Sequence, residues 1–324
     1  MRARFVPVGL LATSLLFPSV KGFAQDPQLR SQAVELLEHA MQVSLSPRWP
    51  DLERVDTFRL LDAVGGPQDG SFSRVVVQGT GRREELTFGS FHVINVWTRR
   101  GLATVRSGEV IPPPLEDVMR ITPTRHLRFD DEDVIDAITD SGANGRPARC
   151  IEFNTVTGQK TSQNELCVDA QNGALVQAKL GNEEIEYGDF FTFAGAVIPG
   201  TIQYSVNGIP HLEIAQIMTE LTNPTPNVLA APPDAQMRRY CTSYRRAFGV
   251  NVPQPQPGTG ADADVVLRGL IGADGKVHDA VVQRSERPDL NPAALQLIQQ
   301  WAFTPALCDG KPNSVQASFT LHFP

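Results

Sequence analysis

Residues 273–310 read ADGKVHDAVVQRSERPDLNPAALQLIQQWAFTPALCDG, and they decide the fold of the C-terminal part of the chain. Asp274-Gly275 is a hairpin signal, because glycine tolerates the positive φ that a tight turn between strands requires. DVVLRGLIG before it and KVHDAVV after it alternate apolar with polar residues, as half-buried strands do. Asn291-Pro292 reads as a helix start, with Asn capping free amides and Pro suited to the first helical position. Leu295, Ile298 and Ala302 give this helix an apolar face, and Pro305 limits its extension. In the final SVQASFTLHF, Val315, Ala317, Phe319, Leu321 and Phe323 point one way and the polar residues between them the other. The order β-β-α-β predicts a small sheet with one helix packed across a face.

The whole chain has 324 residues, 41% hydrophobic and 20% charged, with a net charge of -7. That length suits two domains of ordinary soluble composition. The acidic balance argues against a nucleic-acid partner, which calls for a basic face.

The first residues carry an export signal. Arg2 and Arg4 precede an apolar run from Phe5 to Phe17, and Gly22-Phe23-Ala24 offers small residues for cleavage. The run falls short of the ~20 residues a membrane span needs, so residues 1–24 are expected to be a cleaved signal peptide. The alternative is an uncleaved inner-membrane anchor facing the periplasm. Export gives the four cysteines a disulfide role. Cys150 and Cys167 flank a hairpin-like stretch and are expected to pair across it; by elimination Cys241 pairs with Cys308.

Leu29, Ala33, Leu36, Leu37, Ala40 and Met41 recur at helical spacing and predict an amphipathic helix over 28–43. From 55 to 221 the chain turns to short β-rich runs with turn residues every 8–12 positions, the pattern of a large antiparallel sheet built from hairpins. Leu115–Arg120 reads as a helical interruption, and 211–221 as a strand. Residues 235–261 form a basic, Pro-rich linker, in which MRRYCTSYRRAFG (237–249) reads as a short helix and VPQPQPG as a stiff spacer.

The C-terminal stretch resembles the C-terminal domain of the TonB energy-transducer family over about 262–324. The matching residues are IGADGKV (271–277), Val281, Ser285, Ala293-Ala294-Leu295, WAFTPA (301–306), DGKP (309–312) and the last alternating strand. The resemblance implies a periplasmic module that pairs along a sheet edge with a segment of an envelope protein, in the family an outer-membrane transporter. Gly275, Trp301, Phe303, Pro305 and Gly310 are then architectural, and the strand of Val315, Ala317, Phe319, Leu321 and Phe323 is the candidate partner-binding edge. Two features depart from the family. A signal peptide stands where the membrane helix of an energy transducer would be, and Gln254-Pro255-Gln256-Pro257 replaces its Tyr-Pro segment.

Residues 27–234 resemble the LolA-like lipoprotein-carrier superfamily in arrangement: an N-terminal helix, then antiparallel strands. Ile185-Glu186-Tyr187-Gly188-Asp189-Phe190 and Ile198-Pro199-Gly200-Thr201-Ile202 fit its late strands. The resemblance implies an α+β chain in which an antiparallel half-barrel with helices precedes the TonB-like β-β-α-β domain. It further implies an apolar concave surface able to hold a lipid or acyl chain. Phe129, Phe153, Phe190, Phe191, Phe193 and Trp97 either line such a surface or fill a closed core.

Catalytic signatures are not seen. Histidines 39, 92, 126, 211, 278 and 322 are scattered without metal-ligand spacing, FDDEDVID (129–136) lacks the loop spacing of a calcium site, and no nucleophile elbow occurs. No catalytic residue, metal or cofactor is assigned. The expected function is non-enzymatic: an exported periplasmic interaction protein serving outer-membrane-linked transport. A carrier of lipid, lipoprotein or another apolar ligand is the second reading. A TonB-type energy transducer is the third, if the N-terminal segment is uncleaved.

Overall fold

A computed structural model describes residues 26–324 except 47, 62–65, 108–114, 116–117, 119–126, 158–159, 239, 257–261 and 286. The signal-peptide residues and most of the helix expected at Leu115–Arg120 lie outside the described residues. Leu115 and Val118 of that helix are helical and buried.

Helix α1 spans Pro27–Val43. Its cap is Asp26, whose side chain accepts from the Gln28 and Leu29 amides, two of the donors left free at a helix start. Ala33, Leu37 and Ala40 form its buried stripe.

Strands follow as β1 (Leu52–Leu60), β2 (Gln68–Val77), β3 (Gly81–Phe88), β4 (Phe91–Thr98), β5 (Gly101–Arg106), β6 (Asp133–Ala143) and β7 (Arg146–Thr157). The run continues through β8 (Lys160–Asp169), β9 (Leu175–Leu180), β10 (Glu183–Gly188), β11 (Phe191–Phe193), β12 (Ala196–Ile198), β13 (Thr201–Val206) and β14 (Ile209–Glu220). All but β11 and β12 join one antiparallel sheet; with the later β15 (Gln236–Arg238) at one edge, its order is β15-β5-β4-β3-β2-β1-β14-β13-β10-β9-β8-β7-β6. Hairpins explain nearly all of that order. The non-sequential neighbours are β15–β5, β10–β13 and β1–β14, the last of which joins the two halves of the sheet into one.

One face of this sheet carries α1, and we call it the inner face. Here Phe58, Phe72, Leu86, Ile202, Leu212 and Ile214 form the central core, while Leu37 of α1 packs on Ile135, Ile151, Phe153 and Leu166. Arg30 fastens the helix to the sheet by donating to the carbonyls of Asp130 and Asp133. Asp133 in turn accepts from Thr155 Oγ1 and the Asp130 amide, so the acidic FDDEDVID turn is an attachment point for α1.

The C-terminal part contains β16 (Tyr244–Arg245), β17 (Phe248–Asn251), β18 (Ala263–Ile271), β19 (Val277–Ser285), helix α2 (Asn291–Ile298), β20 (Ala302–Thr304), β21 (Ala306–Cys308), β22 (Lys311–Asn313) and β23 (Val315–Phe323). The main sheet has the order β19-β18-β23, and α2 packs on it through Ala294 and Ile298. The β-β-α-β order therefore recurs, with three short strands inserted before the last.

Two local expectations need correction. Asn291 is not the helix cap: a 3-10 turn at Pro288–Leu290 leads directly into α2, and the Asn291 Oδ1 is buried without a partner. Ala302 lies in β20 rather than on the helix, which stops at Ile298 well before Pro305.

Both expected disulfides are present, Cys150–Cys167 and Cys241–Cys308. Cys150 and Cys167 are direct register partners on β7 and β8, with Cα atoms 4.0 Å apart and both side chains buried. Replacing both by serine removes the closure of a short loop, worth about 3 kcal/mol in chain entropy. The expected result is a lower denaturant midpoint for the large sheet, read by circular dichroism; an unchanged midpoint would show that the hairpin holds its register without the bond.

Candidate functional site

The candidate site is the free edge of the C-terminal sheet, together with the segment that fixes it to the large sheet. Strand β18 alternates buried and half-buried residues along its length and pairs on both sides. Its two neighbours differ. With β19 the register shifts twice, and Asp279 sits at φ 50, so that edge is kinked. With β23 the register runs unbroken from Ala263–Phe323 to Ile271–Val315. Among the described residues, β23 pairs with no strand other than β18, so no further strand covers its outer edge.

The side chains of Phe319, Leu321 and Phe323 do not face that edge. They are buried beneath α2, with Val315 and Ala317 packed partly against them. The alternation seen in the sequence is thus the core face of the strand, and the edge offers backbone groups. On the opposite face Ser318, Thr320 and His322 are exposed; His322 Nδ1 lies 2.9 Å from Asp264 Oδ1, and Arg268 Nη1 donates to Ser318 Oγ at 2.6 Å.

The residues of the WAFTPA and DG motifs build the support. Trp301 and Phe303 pack with Phe319, at ring-centroid distances of 5.7 and 5.8 Å. Gly275 has φ 76 and accepts the Phe303 amide on its carbonyl; a Cβ there would lie 2.1 Å from the Phe303 carbonyl oxygen, so glycine is required on both counts. Pro305 is half-buried near Gly275. Asp309 and Gly310 both have positive φ and connect β21 to β22 in a two-residue turn.

The linker is not the helix expected over 237–249. It is an extended strap that adds to one sheet after another: β15 to β5, β16 to β21 and β17 to β20. Most of its side chains are exposed, so a helix there would have had no stripe to bury, and its backbone hydrogen bonds go to strand edges instead. Cys241 bonds to Cys308 in this strap. Beside the bond, Asp309 Oδ1 accepts from Thr242 Oγ1, Thr242 N and Ser243 N at 2.6, 2.9 and 2.7 Å. Farther on, Trp301 Nε1 donates to the Pro253 carbonyl at 3.0 Å.

On the large sheet, Phe153 and Phe129 form an edge-to-face pair in the core beneath α1, while Arg146 stands over Phe190. Phe193 stacks on Trp49, and Trp97 lies 4.2 Å from the Arg82 guanidinium. One small cavity between α1 and the sheet, lined by Leu37, Leu175, Tyr187 and Phe190, is about 30 Å³. That is the share of a single water. Among the described residues, one group has side chains at metal-ligand spacing, Cys150, Glu165 and Cys167, and its two sulfurs are joined to each other.

The hydrogen bond from the Thr242 hydroxyl, followed by that from the Ser243 amide, holds the Asp309 carboxyl below its ordinary value of 3.8. A carboxyl depressed by folding adds stability above its unfolded pKa and loses it as pH falls through the folded one. The Thr242 and Ser243 amide proton shifts should therefore titrate together with a midpoint below 3.8. A midpoint at or above that value would show that Asp309 does not clamp the strap.

No curated protein sequence matches the chain. Among solved structures it is similar to a putative outer membrane lipoprotein-sorting protein domain from Vibrio parahaemolyticus, at 9% identity and a TM-score of 0.39, covering 62% of this chain and 97% of that one. It is also similar to a DUF1329 family protein from Desulfovibrio piger, at 10% identity and a TM-score of 0.39 over the same shares of the two chains. A third is a LolA superfamily protein from Nitrosomonas europaea, at 12% identity and a TM-score of 0.34, covering 59% of this chain and 94% of that one. The family match falls on the candidate site itself: residues 255–324 match the family described as Gram-negative bacterial TonB protein C-terminal.

Proposed function

We propose that the protein is an exported, non-enzymatic interaction protein of the periplasm, and that its C-terminal sheet receives an extended segment of another envelope protein along β23. The observation that carries this reading is the contrast between the two sheet edges. An unbroken strand with a free outer row of backbone groups is a template for strand addition, and natural proteins otherwise blunt such edges. Here β19 is blunted by its register shifts and β23 is not. The TonB match supports the same reading, because it covers β18, β19, α2 and β23.

The partner class that suits the site is an extended peptide of an outer-membrane transporter or another envelope protein. Backbone pairing supplies affinity, while the exposed side chains of Ser318, Thr320 and His322 contact alternate residues of the guest. A signal-like N-terminus and disulfides of the kind that persist in an oxidising compartment support the periplasmic part of this reading. No described helix is long and apolar enough to cross a membrane.

The test is capture of outer-membrane and periplasmic proteins by the tagged full chain, compared with a Thr320→Lys, His322→Lys variant. Both residues are exposed on β23, so the change charges the edge without touching the core. Capture of a defined partner by the native chain, reduced at least tenfold in the variant, is the expected outcome. Equal capture by a variant of unchanged melting temperature would sink the strand-addition reading.

A further inference from the structure

A polar band crosses the inner face of the large sheet from β5 to β1. Register partners carry it from Thr104 on β5 through Asn95 on β4, Glu84 on β3 and Arg74 on β2 to Arg54 on β1. Asp56, two residues beyond Arg54, stands opposite Gln216 of β14. Much of the band is internally satisfied. Thr104 Oγ1 donates to Asn95 Oδ1, Arg74 Nε to Glu84 Oε1, and Arg54 makes a two-pronged bond to Asp56, whose side chain is fully buried.

Two features are left without a folding rationale. Arg54 and Arg74 face each other directly on adjacent strands, where like charges repel. Glu84 is shared between Arg74 and the half-exposed Arg82, so Arg74 does not have a carboxylate to itself. Gln216 is buried, and its Oε1 has no partner. A buried acceptor left unpaired is costly and calls for an explanation.

Arg54, Arg74 and Gln216 line the same cavity, about 190 Å³ in volume. Its remaining walls include Trp49, Leu52, Val76, Ile198 and Met218. The loop bearing Trp49 is fixed, since Asp51 Oδ1 accepts the Gln78 amide at 2.7 Å and Trp49 stacks on Phe193. At about 30 Å³ for a water-sized group, the space admits an organic molecule with a short carbon chain.

We propose that this cavity binds a small amphiphilic anion. Its carboxylate sits between the Arg54 and Arg74 guanidinium groups and relieves their repulsion. A hydroxyl or amide N–H on the same molecule donates to Gln216 Oε1, and a short apolar tail lies against Trp49 and Met218. The site is on the large sheet and does not involve β23, so its failure would leave the strand-addition reading untouched.

Short hydroxy acids are the direct probes. Titration of the full chain with 3-hydroxyhexanoate should saturably shift the Trp49 indole and Gln216 side-chain NMR signals. Hexanoate, which lacks the donor, should bind roughly tenfold more weakly, and 1-hexanol should give no saturable shift. Arg74→Gln keeps a polar side chain beside Glu84 and should weaken the hydroxy acid at least tenfold. Gln216→Leu should remove the preference for hydroxy acid over hexanoate while leaving hexanoate binding in place. Absence of saturable shifts with either acid, hexanol binding as well as the acids, or unchanged affinity in a folded Arg74→Gln protein would overturn the proposal.

Discussion

The bond between Cys241 and Cys308 joins two parts of the chain that otherwise have separate cores. Everything proposed for the C-terminal sheet depends on how the strap around that bond is held. Before it, β15 completes one edge of the large sheet; after it, β16 and β17 add to β21 and β20. Asp309 binds the strap at the disulfide, and Trp301 binds it again at Pro253. Closing a loop of 67 residues is worth about 4 kcal/mol in chain entropy. The bond therefore stabilises a junction that few buried side chains hold.

That arrangement accounts for the division of labour between the edges of the C-terminal sheet. The short strands β20, β21 and β22 are occupied with the strap and with each other. Gly275 brings the β18–β19 turn against Phe303, and α2 covers the core face. Among the described residues, β23 is the edge of the main C-terminal sheet whose register with β18 is unbroken. The residues that make the TonB resemblance recognisable are thus supports, and the recognition we propose would fall to backbone groups that carry no sequence signature.

Much of this was legible in the sequence because periodicity and turn chemistry report burial. The hairpin at Asp274-Gly275, helix α1, strand β14 and the Cys150–Cys167 pair follow from such signals, and Cys241–Cys308 follows by elimination. Strand β1 does not, although it joins the two halves of the large sheet. Its inward residues are Leu52, Arg54, Asp56, Phe58 and Leu60, and the buried Arg54–Asp56 pair breaks the apolar alternation that marks a strand. The feature that hid the strand is also what lines the anion-suited cavity. The strap was misread for the opposite reason: its short strands are exposed, pair with distant segments and leave no local pattern. In β23 the alternation reports burial, but its apolar side belongs to the core beside α2, and the proposed pairing would use the backbone.

The central claim is that β23 is an open edge in the free protein, and residue-resolved amide hydrogen exchange of the uncomplexed full chain tests it most directly. An open edge predicts alternation along Val315–Phe323: amides directed at β18 exchange slowly, and the intervening ones, directed outward, exchange at rates near those of exposed chain. Uniformly slow exchange along β23 would contradict the account, because it would mean that the edge is already paired before any partner arrives.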